Sequence, residues 1–185
     1  MVRRSLGTSR NQPAAPKKIS VEIISETNDA GEVRQPHRIM RELIATHHQH
    51  LAEAKIALAW RFGWHEDKDG HIVLGKCQKC NDANASLHGF DFIIMLNHAA
   101  WNAAEFVEEQ MRALIDHELC HAAVTIDDTG DPKVDEAGRT VWRIRKHDVE
   151  EFNEVVHRHG TWKDDLVRFA EEAIERKAHP LTGAV

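Results

Sequence analysis

One short segment of the sequence carries residue types at a spacing that is typical of metal-dependent hydrolysis. It reads His117-Glu118-Leu119-Cys120-His121, which is an HExxH motif. On a helix, two histidines four residues apart project from one face and can bind the same Zn²⁺ ion. The glutamate can then accept a proton from a water that the zinc activates, and return it to the leaving amine of a cleaved peptide. The spacing therefore predicts hydrolysis of a peptide bond.

The surroundings of the motif decide whether it is accidental, because a chain with 14 histidines produces such a spacing by chance at an appreciable rate. Apolar residues recur around it at helical spacing: Met111, Leu114, Ile115, Leu119 and Ala122. With no proline in the segment, this stripe predicts a helix over residues 105–124 that buries one face. Two histidines on a solvated face would have charged neighbours at these positions, so the alternative of an ordinary surface pair is disfavoured.

A catalytic zinc takes three protein ligands and keeps a fourth position for water. The best third ligand in the sequence is His147, which follows a predicted strand and begins a predicted helix. Such a junction holds a side chain rigidly. Glu151 lies one turn further on the same face, and Glu150 is its neighbour. We expect His147 to bind the metal, with Glu151 or Glu150 as the alternative ligand. Asp148 is a further candidate, either as a ligand or as a group that supports one.

The elements that must position these residues alternate between strand and helix patterns. Strands are predicted at residues 21–25, 54–64, 71–74, 90–96 and 140–145, and helices at 35–53, 148–157 and 163–177, besides the motif helix. A turn at residues 67–70 predicts that the second and third strands form a hairpin. Residues 75–87 are expected to be polar and irregular, with a short helix as the alternative. His47, His48 and His50 are expected to be solvated surface residues. The fold class is α+β, with a mixed or antiparallel sheet of about three to five strands packed on the motif helix, followed by further helices.

Composition and charge limit the organisation of the chain. It is 42% hydrophobic and 29% charged, which favours a folded globular protein over a disordered one. We expect a disordered basic leader at residues 1–18, a single domain at residues 19–178 and a flexible tail at residues 179–185. The leader holds five basic residues and no acid, which leaves 24 − 5 = 19 basic against 30 acidic residues elsewhere. An acidic body binds nucleic acid poorly. The basic leader could contact nucleic acid, but this interpretation is not favoured.

The cysteines and the absence of long apolar runs indicate the compartment. Three cysteines do not make a disulfide framework, and they fit a reducing cytoplasm. No apolar segment is long enough to span a membrane. Cys77 and Cys80 form half of a zinc ribbon, which His71 or His88 could complete as a second site, although two reduced thiols are the favoured interpretation. Cys120 is expected to be a small core residue that is turned away from the metal.

Beyond these patterns, residues 90–162 resemble the putative phage metallopeptidase family, a zincin group that is distantly similar to the SprT-like proteases. The stretches that carry the resemblance are residues 91–94, Trp101, residues 113–121, 135–139, 146–152 and 158–162. The resemblance implies a small zincin-like fold, His117 and His121 as ligands, Glu118 as the catalytic base, and a downstream ligand at His147. It also implies that residues 90–96 form the strand that borders the cleft, to whose edge a substrate peptide could add.

The chain contains no tyrosine, and this departs from the zincin pattern. Zincins often place a tyrosine or a histidine near the oxyanion that forms during cleavage. Here the donor must be another side chain or a backbone N–H. His157, His159 and Arg145 lie near the presumed third ligand in sequence, and His159 is preferred among them.

These observations together predict a zinc-dependent metallopeptidase with one Zn²⁺ per chain, encoded by a phage or prophage and acting on a protein or peptide in the cytoplasm of the bacterial host. Two alternatives stand beside this prediction. One is a binding protein that zinc stabilises without proteolysis, and the other is a SprT-like protease that its basic leader tethers to DNA. A glutamate inside the motif favours the enzyme, because a purely structural metal site has no use for a base there.

Overall fold

The computed structural model describes residues 20–178, and this part of the chain divides into two compact units that meet between Arg143 and Ile144. The predicted leader at residues 1–18 and the predicted tail at residues 179–185 lie outside the described residues. The single domain over residues 19–178 stays a prediction. The two units are described separately below.

The first unit is built on a four-stranded mixed sheet. Its strands are β1 (Ser20–Ile23), β2 (Ile56–Phe62), β3 (Gly75–Lys79) and β4 (Phe92–Asn97), in the order β1-β2-β4-β3. β4 runs parallel to β2 and antiparallel to β3, while β1 pairs with β2 antiparallel. β4 is apolar on both faces and almost wholly buried, as expected of a strand with neighbours on both edges and packing on both faces. The prediction of an α+β fold with a small mixed sheet is confirmed.

Helices surround this sheet. The described helices of the first unit are α1 (Gln35–Thr46), a single 3₁₀ turn (Gln49–Leu51), α2 (Asp82–His88), α3 (His98–Trp101) and α4 (Glu108–His121). α4 leads directly into β5 (Ala122–Val124), which pairs with β6 (Trp142–Ile144) in a second, two-stranded sheet. Pro36 is the second residue of α1, where its missing N–H has no helical partner to lose. The carboxylates of Glu108 and Glu109 lie in the first turn of α4, near the positive end of its dipole.

The predicted hairpin is wrong beyond its turn. The turn at residues 67–70 forms, with the Gly70 N–H donating to the Asp67 carbonyl over 3.2 Å, but residues 71–74 are not a strand. The next strand is β3, and it pairs with β4 rather than with β2. Only Cys77 of β3 is buried, so the segment shows too little hydrophobic alternation to be recognised as a strand. The alternative of a short helix within residues 75–87 agrees with α2, which covers Asp82–His88, whereas the sequence does not predict β3.

The core of the first unit joins α4 to the sheet. Phe92, Leu58, Ile39, Ile115 and Leu119 have no or almost no exposed surface. α4 packs against α1 on one side and β3 on the other. Because Ile115 and Leu119 are one turn apart, their burial determines the rotation of α4 about its axis and thereby the direction of every neighbouring side chain.

The second unit contains α5 (Asn153–His159) and α6 (Asp164–Ala178). Gly160 ends α5 with a φ of +65°, a conformation that favours glycine and agrees with the predicted stop. Leu166 is the buried apolar residue of α6, whereas Phe169 and Ile174 are exposed.

We expect Ile115→Ala to lower the free energy of unfolding by about 2–5 kcal/mol, because it deletes a fully buried side chain and leaves a cavity. Ile174→Ala is the matched control, since that side chain lies on a helix but is 68% exposed; its change should stay within about 0.5 kcal/mol. Chemical denaturation of the purified full chain measures both values. Equal effects of the two substitutions would show that the α4 face is not the core.

Candidate metal centre

His117 and His121 lie together on α4, as the motif predicts. Their ring centroids are 5.0 Å apart with the rings nearly perpendicular, and each offers a ligand nitrogen within 4.8 Å of the other. His117 is exposed and His121 is half-buried. The pair is therefore open to solvent while the apolar side of the same helix faces the core.

Glu118 points in another direction, into the protein. The residue is only 3% exposed, and its Oε2 atom has no hydrogen-bond partner among the described residues. Burial raises the pKa of the Glu118 carboxyl, whereas the charge of His121 and a hydrogen bond from the Cys77 backbone N–H oppose that rise. A buried acceptor without a partner costs about 1–3 kcal/mol. This oxygen can therefore accept a hydrogen bond from a group that residues 20–178 do not supply.

Gly75 makes the position of Glu118 possible, and sequence reasoning missed it. A Cβ atom at residue 75 would lie 2.5 Å from Glu118 Oε1 and about 3.0 Å from two carbons of the same side chain. No side chain other than hydrogen fits between β3 and this carboxylate. Glycine inside a strand often marks such a close approach, but the signal is lost when residues 75–79 are not recognised as a strand.

Two histidines from the segment after α1 contact the ends of the motif. His48 Nε2 lies 2.6 Å from Asp116 Oδ1, immediately before the motif, and His50 Nε2 lies 3.2 Å from the Ala122 carbonyl, immediately after it. His48 is 5% exposed, so its prediction as a solvated surface residue is wrong. His47 and His50 are exposed, as predicted. The error for His48 arises because its partner lies far away in sequence.

The cysteines differ from expectation at one position. Cys77 and Cys80 are buried, and burial, followed by the nearby Glu118 and Cys80 charges, raises the pKa of the Cys77 thiol to about 12. A thiol in that state is a poor metal ligand. In residues 20–178, no group of three or more close metal-ligating side chains includes either of them. Cys120 is exposed, so its expected place in the core is wrong.

The remaining predicted site residues belong to the second unit. His147 is exposed in the segment between β6 and α5. Glu151 is held by its own unit, because one carboxylate oxygen accepts from the Phe152 N–H at 2.9 Å and the other from Trp162 Nε1–H at 3.0 Å. These hydrogen bonds, the first of them most strongly, lower the pKa of the Glu151 carboxyl.

The other candidates in this unit have no established role at the metal. Glu150 is exposed, and its backbone carbonyl accepts from Lys163 Nζ at 3.2 Å. Both carboxylate oxygens of Asp148 lie 2.6 Å from an Arg145 nitrogen. His157 and His159 are exposed in the last turn of α5. The assignment of His159 to the oxyanion stays a prediction.

Comparison with known proteins identifies the family of this chain. A sequence model described as putative phage metallopeptidase matches residues 30–173. The chain belongs to this family. No curated protein and no solved structure matches it. Membership implies a phage-type metallopeptidase that requires a metal and acts on a protein or peptide. The more distant similarity to SprT-like proteases stays a prediction.

The residues of this phage metallopeptidase fit a divalent metal. Two imidazoles on one exposed helix face are the donors that zinc and related ions prefer. The unpartnered Oε2 of Glu118, on the same helix, is the acceptor that a metal-activated water would require.

In residues 20–178, no helix combines the length and the apolar character needed to cross a membrane.

The strand beside this centre is not the one that the family resemblance implies. β4, which covers most of residues 90–96, has β2 on one edge and β3 on the other, so it has no edge to offer a peptide. The edge strand next to Glu118 is β3. The expectation that a peptide adds to the edge of residues 90–96 is therefore wrong, because β4 has a parallel partner on one edge and an antiparallel partner on the other.

We expect Gly75→Ala to destabilise the protein by about 1–3 kcal/mol, because the new methyl group overlaps the Glu118 carboxylate. In a Glu118→Ala background the overlap is gone, and the same substitution should be neutral or stabilising by about 0.4–1 kcal/mol through the unfolded chain. Chemical denaturation of the two single variants and the double variant gives the coupling energy. Additive effects would contradict the close approach.

Proposed function

We propose that this protein is a zinc-dependent peptidase that hydrolyses peptide bonds with Glu118 as the general base, with one catalytic Zn²⁺ per chain. The observation that carries the proposal is the buried Glu118 carboxylate, whose Oε2 has no hydrogen-bond partner among the described residues. It lies on the same helix as two histidines, in a chain of a metallopeptidase family. A site that only stabilised the fold would gain nothing from a glutamate that is costly to bury.

The chemistry divides between the ion and the chain. Zinc, when bound, supplies a Lewis acid that acidifies water and polarises a carbonyl group. His117, which is exposed, and His121, which is half-buried, would hold the ion on one side of α4. Glu118 accepts the proton of the attacking water at Oε2 and later returns that proton to the leaving amine. Its raised pKa suits both steps, because a base that binds its proton more firmly also accepts it more readily.

For the third ligand we favour His147 over Glu151 and Glu150. An imidazole is a common zinc ligand, and three neutral histidines leave the positive charge of the ion available to the substrate. Both oxygens of Glu151 already accept hydrogen bonds within the second unit. If these oxygens bound a metal instead, the hydrogen bonds from the Phe152 N–H and from Trp162 would be lost. Glu150 stays the weaker alternative. It is exposed, and the adjacent residue, Glu151, is held in place by its hydrogen bonds.

The oxyanion requires a donor other than tyrosine. Arg145 is engaged by the Asp148 carboxylate, which favours a histidine for this task. His159 is the preferred donor and His157 the alternative, since both end α5 with exposed rings. A histidine donor must carry a hydrogen on the nitrogen that faces the oxyanion.

The substrate is a peptide in an extended conformation. β3 is the edge strand beside Glu118, and its outer edge can pair with a peptide by main-chain hydrogen bonds. Such pairing recognises the backbone more than the side chains. The setting we propose is the cytoplasm of a bacterial host during phage or prophage expression, where the buried thiols of Cys77 and Cys80 stay reduced.

We expect Glu118→Gln to keep the zinc content of the wild type while losing peptide cleavage by about 100-fold or more, because it removes the base and leaves the histidines. His117→Ala should lose cleavage together with the zinc of the catalytic site. Glu109→Gln, an exposed glutamate on the same helix, is the matched control and should behave as the wild type. Metal analysis gives the zinc content, and exposure of a host proteome to each variant reports new peptide ends. Equal cleavage by the wild type and Glu118→Gln would remove Glu118 from the mechanism.

The third ligand has its own test. His147→Ala should lower the zinc affinity by about 10-fold or more, since one of three protein ligands is lost. Glu151→Gln and His157→Ala should leave the affinity unchanged. Competition with a chromophoric chelator measures each constant. Loss of affinity in Glu151→Gln but not in His147→Ala would assign the ligand to the carboxylate.

A further inference from the structure

The helix that carries the HExxH motif holds a second pair of metal-ligating residues at the same spacing. Asp116 and Cys120 lie four residues apart on α4, each immediately before one of the two motif histidines. His48 approaches them from the segment between α1 and the 3₁₀ turn. The three side chains offer ligand atoms that all lie within 4.8 Å of one another. We propose that His48, Asp116 and Cys120 form a second metal site, selective for a divalent transition metal with zinc as the first candidate.

This site is distinct from the pair of motif histidines. Successive residues of an α-helix are rotated by about 100° around its axis. Asp116 and Cys120 therefore project together from a face that is turned by one residue from the face of His117 and His121. A single ion therefore cannot be bound by both the histidine pair and the Asp116–Cys120 pair. The two sites lie side by side on one helix, and their occupancies can be measured separately.

The backbone holds His48 in place for this task. Its N–H donates to the Leu43 carbonyl at 3.1 Å, and its own carbonyl accepts from the Leu51 N–H at 2.8 Å. Leu43 and Leu51 are both buried in the core. The His48 side chain is 7% exposed and already lies 2.6 Å from Asp116 Oδ1. A ligand that is buried and fixed before the metal arrives loses little conformational entropy on binding.

The donor set selects the class of ion. One nitrogen, one oxygen and one sulfur suit borderline-soft ions such as Zn²⁺, whereas Ca²⁺ and Mg²⁺ require oxygen ligands. Ligand atoms on a common zinc lie about 3.5 Å apart, given bond lengths of about 2.0–2.3 Å. The observed separations therefore need only small side-chain rotations. On binding, the Cys120 thiol gives its proton to solvent, and bonds to the ion replace the contact between His48 and Asp116.

A metal in this place would connect the segment after α1 to the helix of the motif. α1 and α4 already pack against each other. The ion would add a direct bond between them at the residues adjacent to His117 and His121. Its role is to hold the motif helix, and its occupancy does not depend on peptidase activity. The inference therefore stands apart from the proposed function.

Cobalt substitution tests the proposal on the full chain. Co²⁺ bound to a thiolate gives a near-ultraviolet charge-transfer band, which ligands that offer only nitrogen and oxygen do not give. Titration of the metal-free protein with Co²⁺ should produce this band. The band should disappear in Cys120→Ser and weaken in His48→Ala. It should persist in His117→Ala, in Cys80→Ser, and in His50→Ala, which is the matched control for His48. Bound metal should fall by one equivalent in Cys120→Ser.

The outcomes separate this site from the catalytic one. A band that survives Cys120→Ser, or that disappears in Cys80→Ser, overturns the proposal. A band that disappears in His117→Ala would likewise show that Cys120 binds only as part of the HExxH centre. Loss of cleavage in Glu118→Gln with an unchanged band supports both sites independently.

A second measurement needs no substitution at the site. Saturating Zn²⁺ should slow the alkylation of Cys120 by iodoacetamide about tenfold or more, because a coordinated thiolate is a poor nucleophile. The same protection is expected in His117→Ala, where the neighbouring centre is disabled. Mass spectrometry of the modified peptide gives the rate. Equal rates with and without Zn²⁺ in both proteins would overturn the second site.

Discussion

The contact between α4 and β3 controls the rest of the site. Ile115 and Leu119 lock one face of the helix into the core, and Gly75 lets the next face approach the strand until the Glu118 carboxylate touches its backbone. Once the helix is rotated in this way, its remaining faces have no freedom. His117 and His121 must project toward solvent, while Asp116 and Cys120 project beside His48.

This arrangement places a charged group where charge is costly. Burial raises the pKa of Glu118, and its Oε2 has no partner among the described residues. The free energy that folding loses at this carboxylate must come from the apolar contacts around it. The same burial lets the carboxylate bind a proton more firmly than a surface glutamate does, which is what a general base must do when it also acts as an acid. The cost in stability and the capacity for catalysis thus have one physical origin.

Each face of α4 has a separate task. One face packs into the core, one brings Glu118 against β3, one carries the histidine pair, and one meets His48. A helix of fourteen residues can serve all four because its side chains diverge by about 100° per residue. Contacts at both ends secure it further, since His48 reaches Asp116 before the motif and His50 reaches Ala122 after it. The histidines that have no catalytic assignment thereby support those that do.

Local pattern alone was enough to predict the motif helix, the histidine pair, the strands that became β2 and β4, and the α+β class. Each of these depends on the period of a helix or a strand, and that period is written in neighbouring residues. The pairing of β3 with β4, the fit of Gly75 against Glu118 and the burial of His48 were decided only by the tertiary structure. His48 and Asp116 are separated by 68 positions in the chain, and no periodicity relates them. Such contacts form because the core brings distant segments together, so the residues that position the chemistry could not be recognised until the packing of α4 was known.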